Sequence, residues 1–213
     1  ARYDNIIVLE RHDTFGQETS SRNSEVIHSG IYFPEGSLKT RLCVEGAEQL
    51  YAICKKYSIP HKKLGKLIVA VEQSELGILE KLYKNGQKNN VKGLTILDRD
   101  AVNRMEPNTK VITSLYSPDT GIVDSHSLMK YFYNAAKDNG VLFGFNSEVN
   151  RLDKESDGFV IGIQQDDYQF KSKVVINCAG LSSDYIAKLT GIDIQKSGYE
   201  LKYCKGSYFS YAK

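Results

Sequence analysis

The stretch that decides the fold is NIIVLER, residues 5–11, an apolar run that ends in an acidic and a basic residue. A polar loop follows and leads into TSSRNSEVIHSGIYFP, residues 19–34, which concentrates hydroxyl, amide, guanidinium and imidazole groups. A buried parallel strand that ends in a carboxylate and precedes a polar loop is typical of a sheet that binds a nucleotide. We therefore predict an α/β fold in which the loop after the first strand carries binding residues.

The composition gives no sign of a nucleic-acid or membrane partner. Among 213 residues, 28 Lys and Arg stand against 26 Asp and Glu, a net charge of +2 that does not favour binding to nucleic acid. No run approaches the roughly 20 apolar residues that a membrane helix needs. The four cysteines show neither a CxxC nor a zinc-site spacing, which favours reduced thiols in the cytoplasm.

The spacing of apolar residues predicts the next elements. Helical periodicity predicts helices over residues 38–57 and 74–84, with Asn-Gly at 85–86 ending the second. A third helix is expected over residues 124–139, with the aspartate at its start as the N-cap. From residue 141 to 170, short strands joined by polar turns predict an antiparallel meander.

The last part of the chain returns to a buried strand. VVINCAG, residues 174–180, ends in small residues that let a ligand approach the backbone, although close packing of a strand on a helix needs small residues equally.

The chain begins almost directly on a predicted strand and stops in what resembles the middle of another. We therefore expect an internal fragment of a longer protein.

Two residues are candidates for chemistry by themselves. An acid at the position of Glu10, at a strand end, can accept both ribose hydroxyls of an adenine nucleotide, and a solvated acid is the alternative. None of the 17 glycines forms a G-x-G pair, so the phosphate turn of such a fold is expected upstream of Ala1.

His28, in a loop next to Ser29-Gly30, is a candidate base, flavin contact or covalent anchor, and a histidine held only by hydrogen bonds is the alternative. No spacing indicates a metal site.

One long segment resembles a known family. SRNSEVIHSGIYFPEGSLK, residues 21–39, is similar to the signature of the L-2-hydroxyglutarate dehydrogenase/oxidase family, which belongs with glycine oxidase and D-amino acid oxidase among FAD-dependent oxidoreductases. The resemblance continues in RLCVEG, GKLIVA, SPDTGIVD and NCAGL, which begin at residues 41, 65, 117 and 177. Glu25 and Ser207 depart from the family pattern, where a small residue and a glutamate are usual.

The resemblance implies a Rossmann-like FAD-binding domain of the glutathione-reductase type, interrupted by a mixed-sheet substrate domain. Residues 1–33 and 123–193 would belong to the first domain, and residues 34–122 and 194–213 to the second. The implied cofactor is FAD, and the residues implied to contact it are Glu10, Arg11, Ser20, Ser21, Arg22, Asn23, Ser29, Val149, Ala179 and Gly180. His28 would be the catalytic base, and Lys66 and Lys205 would bind substrate carboxylates.

The reaction implied by the resemblance is oxidation of L-2-hydroxyglutarate to 2-oxoglutarate, with hydride transfer to flavin N5 and electrons passed to a quinone or oxygen. An amine or amino-acid oxidase and a glycerol-3-phosphate dehydrogenase are alternatives that keep the flavin. A partner-binding module without flavin is an alternative of another class. We expect no nucleic-acid partner, no integral membrane segment and a cytoplasmic location, at the periphery of the inner membrane if a quinone is the acceptor.

Overall fold

The structure is a computed structural model that describes residues 4–164 and 168–207. Two compact units make up the chain. Residues 1–22 and 135–213 form the first unit, and residues 23–134 form the second unit. The assignment of FAD and substrate domains made from the resemblance stays a prediction.

The described residues form short strands and helices, with one to four strands between successive helices. The strands are β1 (Ile7–Leu9), β2 (Val26–Ile27), β3 (His61–Lys62), β4 (Lys66–Ala70), β5 (Thr95–Asp98), β6 (Thr113–Ser117), β7 (Gly121–Val123), β8 (Leu142–Gly144), β9 (Val149–Glu155), β10 (Gly158–Ile163) and β11 (Gln169–Ser172). The helices are α1 (Leu38–Lys56), α2 (Leu76–Lys88), α3 (Arg99–Met105), α4 (Ser125–Asp138) and α5 (Ser183–Leu189). Single 3-10 turns lie at Thr19–Ser21, Gln73–Glu75 and Gly180–Ser182. No helix among the described residues combines the length and the apolar character needed to span a bilayer.

The first unit contains a parallel strand pair and an antiparallel sheet. β1 pairs with β8 in parallel, with Ile7 opposite Leu142. The strands β11, β10 and β9 form a three-stranded antiparallel sheet in that order. The prediction that residues 141–145 begin the meander was therefore wrong, and only the three later strands form it. The continuous apolar run of β8 suits a parallel strand, whereas a meander strand alternates.

The strand predicted over residues 174–180 is also absent. Residues 174–179 carry no helix or strand assignment, and the side chains of Val174 and Ile176 are 48% and 80% exposed. A strand exists only where a neighbouring strand accepts and donates its backbone hydrogen bonds. No strand within the described residues pairs with this segment, so its β-type sequence has no ladder to join.

The second unit has two three-stranded antiparallel sheets, β2-β7-β3 and β4-β6-β5. Its largest buried cluster lies where α2 packs on β4 and β6, and it contains Ile31, Ala70, Leu79, Val91 and Leu115. Ile31 belongs to the segment that follows β2. The core therefore fixes one end of the loop that carries the candidate base.

Helix boundaries follow local chemistry except at the end of α2. The predicted N-cap at Asp124 is confirmed, because its Oδ1 accepts a hydrogen bond from the Ser127 N–H at 2.9 Å. The predicted end of α2 at residues 85–86 is wrong, since the helix continues to Lys88. Gly86 is buried inside it, and a Cβ there would lie 2.4 Å from Leu94 Cδ1. The glycine therefore permits a close approach and does not end the helix.

Candidate functional site

In the first unit, the end of β1 holds Glu10 in a defined orientation. The Glu10 N–H donates to the Gly144 carbonyl at 2.8 Å and extends the parallel ladder by one residue. Its Oε1 accepts a hydrogen bond from the His12 backbone N–H at 3.0 Å. A carboxylate has two oxygens and about four acceptor sites, so one backbone donor orients the group and leaves capacity for the hydroxyls of a sugar.

Arg11 links this strand end to the turn at Gly180–Ser182. Its guanidinium donates to Ser182 Oγ at 3.3 Å and to the Glu18 carboxylate. The hydrogen bond to Glu18 is the main reason that the pKa of Arg11 is raised, with a smaller contribution from the charge of Glu148, the neighbour of Val149. Hydrogen bonds from His12 and then Arg11 lower the pKa of Glu18. Three separate chain segments therefore converge on Arg11.

Gly180 lies against the loop that follows β1. Its φ is +55°, a conformation that favours glycine, and a Cβ there would lie 3.5 Å from Thr19 Oγ1. Thr19 begins the turn that contains the predicted contacts Ser20 and Ser21, and the Ser21 Oγ donates to the Glu18 carbonyl at 3.1 Å. Ala179 directly precedes Gly180. Oriented carboxylate and hydroxyl groups beside a glycine that admits close approach fit the sugar and phosphate part of a dinucleotide such as FAD.

The structure brings together part of the predicted FAD contacts. Glu10, Arg11, Ser20, Ser21, Ala179 and Gly180 lie in the first unit on segments that the contacts above connect. Val149 opens β9 opposite Ile163 in the same unit. Arg22 Nη1 lies 3.4 Å from both the carbonyl and the Oγ of Ser21. Lys205 is exposed in the first unit outside any helix or strand, and its assignment stays a prediction.

In the second unit, His28 directly follows β2, and two lysines lie near its imidazole. Partial burial is the main reason that the pKa of His28 is lowered, and the charges of Lys66 and then Lys39 lower it further. The imidazole is therefore neutral at neutral pH, the form in which it accepts a proton. We call His28, Lys39 and Lys66 the histidine–lysine cluster.

Aromatic side chains and the first helix position the cluster. Lys66 Nζ lies 4.8 Å from the centroid of the Tyr32 ring, and Lys39 Nζ lies 4.4 Å from the centroid of the Phe33 ring. An apolar groove of about 410 Å³ opens beside His28, between β2, α1 and the exposed ring of Phe132. The sequence interpretation missed Lys39, although it lies inside the segment that resembles the family signature.

Ser29 is buried, and its hydroxyl contacts other hydroxyls. Its Oγ lies 2.9 Å from Ser117 Oγ and 3.4 Å from Thr120 Oγ1. These three residues are between 0% and 6% exposed and come from segments about 90 positions apart in the chain. They tie the residue after His28 to the end of β6. The role of Ser29 as an FAD contact stays a prediction.

Two asparagines at the C-terminal end of α2 hold the loop after His28, Asn85 within the helix and Asn89 directly after it. Asn85 Nδ2 donates to the carbonyls of Ile31 and Phe33 at 2.7 and 2.9 Å. Asn89 Nδ2 donates to the carbonyls of Gly30 and Phe33, both at 2.9 Å. The Asn89 N–H donates to the Asn85 carbonyl at 2.9 Å, which continues the helical turn and brings the two side chains to the same side. We call them the asparagine clamp, and nothing in the sequence interpretation indicated it.

Glu25, one of the departures from the family pattern, caps a helix. Its Oε1 accepts from the Ser125 N–H at 2.9 Å and from Ser125 Oγ at 2.8 Å, at the start of α4. These hydrogen bonds lower the pKa of Glu25. The predicted contact Asn23 supports this geometry, because its Oδ1 accepts from the Glu25 N–H at 2.8 Å. The glutamate thus stabilises the entry to β2.

Comparisons with known proteins identify the family and the fold. The family described as FAD dependent oxidoreductase (DAO) matches residues 1–213. An L-2-hydroxyglutarate dehydrogenase of Arabidopsis thaliana is 36% identical over 235 residues, which cover 96% of this chain and 48% of the relative. Another from Nematostella vectensis is 38% identical over 196 residues, covering 86% of this chain and 43% of the relative. The FAD-bound, dithionite-reduced L-alpha-glycerophosphate oxidase of Mycoplasma pneumoniae superposes with a TM-score of 0.79 at 28% identity, covering 88% of this chain and 50% of that one.

The chain spans about half the length of the relatives that it matches. The family match, in contrast, extends over all 213 residues and includes both units. The mixed helix and strand architecture agrees with it. The chain belongs to the DAO family of FAD dependent oxidoreductases.

Proposed function

We propose that this chain carries the substrate site of a flavoenzyme that oxidises a 2-hydroxy acid, with L-2-hydroxyglutarate as substrate and 2-oxoglutarate as product. The observation that carries the proposal is the histidine–lysine cluster, in which a neutral imidazole lies close to two ammonium groups. Two curated relatives named L-2-hydroxyglutarate dehydrogenase, at 36% and 38% identity, support the same substrate.

The cluster has the groups that oxidation of a hydroxy acid requires of the protein. Conversion of the alcohol to a ketone removes a proton from the hydroxyl oxygen and a hydride from the carbon. FAD, when bound, supplies the hydride acceptor. His28 would accept the hydroxyl proton, because its lowered pKa keeps the ring neutral. Lys66 would bind the carboxylate next to the reacting carbon through a charge-assisted hydrogen bond and so orient the hydroxyl toward His28.

The first unit would hold the nucleotide part of the cofactor. Glu10 would accept the ribose hydroxyls, and the turn containing Ser20 and Ser21 would follow the pyrophosphate. Gly180 would let the cofactor pass close to the backbone, because a side chain there would occupy the space in front of Thr19. Val149, which the resemblance also implies, belongs to the same proposal in this unit, and the roles of Asn23 and Ser29 in the second unit stay predictions.

An anaerobic visible spectrum tests this function. L-2-hydroxyglutarate added to the holoprotein should bleach the flavin bands, whereas glycine and other amines should leave them unchanged. Flavin bands that persist with the hydroxy acid, or a folded protein that binds no flavin, would contradict the proposal.

Glycerol 3-phosphate is a second candidate substrate. It is supported by the 28% identity to the Mycoplasma pneumoniae oxidase, and two ammonium groups suit a phosphate dianion as well as two carboxylates. Bleaching by glycerol 3-phosphate, and not by L-2-hydroxyglutarate, would establish it instead.

The electron acceptor and the cellular location stay part of the proposal. Oxygen consumption during turnover, compared with reduction of a soluble quinone, distinguishes the two predicted acceptors. The relatives from Arabidopsis thaliana and Nematostella vectensis are named mitochondrial, so fractionation of the source cells is the test of the predicted cytoplasmic location.

A further inference from the structure

The two lysines belong to different elements, and no acidic side chain among the described residues pairs with either charge. Lys66 begins β4, and Lys39 lies in the first turn of α1. Within the parts of the chain that the structure describes, neither forms an ion pair with an acidic side chain. Each ammonium lies over an aromatic ring instead, a contact that does not neutralise the charge.

The position of Lys39 is fixed by the way α1 begins. Cys43 lies one helical turn after Lys39, on the same face, and its Sγ donates to the His28 carbonyl at 3.2 Å. Thr40 Oγ1 donates to the Pro34 carbonyl at 2.6 Å, and the Ser37 hydroxyl caps the helix by accepting from the Thr40 N–H at 3.1 Å. The first turn of α1 is therefore held against the loop that carries the base, with Lys39 directed to it.

We propose that Lys39 determines substrate specificity by binding the distal carboxylate of a dicarboxylic substrate whose first carboxylate binds Lys66. This inference rests on the proposed function. The two ammonium groups contact different rings of the loop after His28, with Lys66 over Tyr32 and Lys39 over Phe33. Lys66 lies opposite Ser117 in the ladder between β4 and β6, and Ser117 Oγ lies 2.9 Å from Oγ of Ser29, the residue after His28. Lys39 lies over Phe33, five positions after His28. This register assigns the carboxylate next to the reacting carbon to Lys66 and the distal carboxylate to Lys39.

Paired ligands with one and two carboxylates test the assignment. The ligands are glutarate and valerate for binding by calorimetry, and L-2-hydroxyglutarate and L-2-hydroxyvalerate for turnover, all with the holoprotein. The variants are Lys39→Met, Lys39→Arg and Lys66→Met. Lys55→Met is the matched control, because Lys55 is exposed in the last turn of the same helix.

A charge-assisted hydrogen bond contributes about 1.5–3 kcal/mol, which corresponds to about 10- to 100-fold. Lys39→Met should therefore raise the Kd of glutarate, and lower kcat/KM for L-2-hydroxyglutarate, by about that factor. The same variant should leave valerate binding and L-2-hydroxyvalerate turnover within about twofold, since neither ligand reaches Lys39 with a charge. Lys66→Met should weaken both ligands of each pair, Lys39→Arg should restore most of the loss, and Lys55→Met should change nothing.

Equal effects of Lys39→Met on the two ligands of a pair, or no effect on either, would overturn the inference. Its failure can be told from failure of the proposed function. If glutarate binding depends on Lys39 as expected while no hydroxy acid bleaches the flavin, the dicarboxylate site stands and the proposed reaction is wrong. If L-2-hydroxyglutarate is oxidised with unchanged kcat/KM in Lys39→Met, the reaction stands and the inference is wrong.

Discussion

Replacing Asn89 with alanine should lower the free energy needed to open the loop that carries His28, and the hydrogen bonds of the asparagine clamp give the size of the change. The variant removes the hydrogen bonds to the Gly30 and Phe33 carbonyls. Phe33 still accepts from Asn85 at 2.9 Å, whereas Gly30 loses the side-chain donor that the structure gives it. Asn89 is 5% exposed, so water does not readily replace the bond.

The expected loss is about 2 kcal/mol. Each hydrogen bond contributes about 1 kcal/mol net, and a buried carbonyl left without a donor costs about 1–3 kcal/mol. The Oδ1 of Asn89 is buried without a partner within the described residues, so its removal costs no hydrogen bond. Because 1.4 kcal/mol is a factor of ten, the loop should open about 30-fold more often.

Native-state hydrogen exchange, read by mass spectrometry on peptides over residues 28–36, measures this opening directly. Exchange in Asn89→Ala should be about 30-fold faster in these peptides and unchanged over β4 and β6. Gln87→Ala is the control, since Gln87 is exposed on the same helix. Loop exchange within threefold of the wild-type rate, or equal acceleration over the whole second unit, would refute the reasoning.

The other predictions concern charge and packing. Lys66→Met removes a charge that lowers the pKa of His28, so the acid limb of the kcat/KM pH profile should move up toward pH 6.5, and an unmoved limb would refute the assignment. The folded pKa of Glu25 lies below its ordinary value of 4.5, so its stabilisation is present above pH 4.5 and is lost as the pH falls through the folded value. Glu25→Gln should therefore remove this acid dependence and cost about 1 kcal/mol at neutral pH in urea unfolding. Gly121→Ala should lower the free energy of unfolding by about 3 kcal/mol, because a Cβ there would lie 2.3 Å from a backbone carbonyl oxygen of β3. In the control Gly77→Ala on α2, the new Cβ meets open space, and thermal unfolding should show a slightly more stable protein.

Local sequence patterns predicted the elements whose signals are themselves local. The apolar run before Glu10 forms β1, and the helical spacing after residue 38 forms α1 with nearly the predicted bounds. The predicted burial of β1 was wrong, because within the described residues it pairs only with β8, and Ile7 and Val8 are 44% and 41% exposed. The N-cap at Asp124 depends on residues within one turn of it, so it was readable from the sequence. The direction of β8 could not be predicted from local sequence, because its pairing with β1 joins residues about 135 positions apart.

The candidate site shows the same division. His28 was predicted from its place in the loop and from the family resemblance. Three other features of the site depend on how distant segments pack. They are the proximity of Lys39 to His28, the hydrogen bonds from Asn89 to the loop, and the contact between the hydroxyls of Ser29 and Ser117. Periodicity and spacing report which face of an element is apolar, and they do not report which polar side chain of another element meets it.

The most direct test of the central claim is the rate of anaerobic flavin reduction by L-2-hydroxyglutarate in wild type and His28→Asn. A general base contributes about 10²- to 10⁴-fold, so the variant should reduce its flavin at least about 100-fold more slowly. Its affinity for glutarate should stay close to that of the wild type, because the lysines that bind carboxylates remain. A His28→Asn variant that reduces its flavin at the wild-type rate would contradict the account.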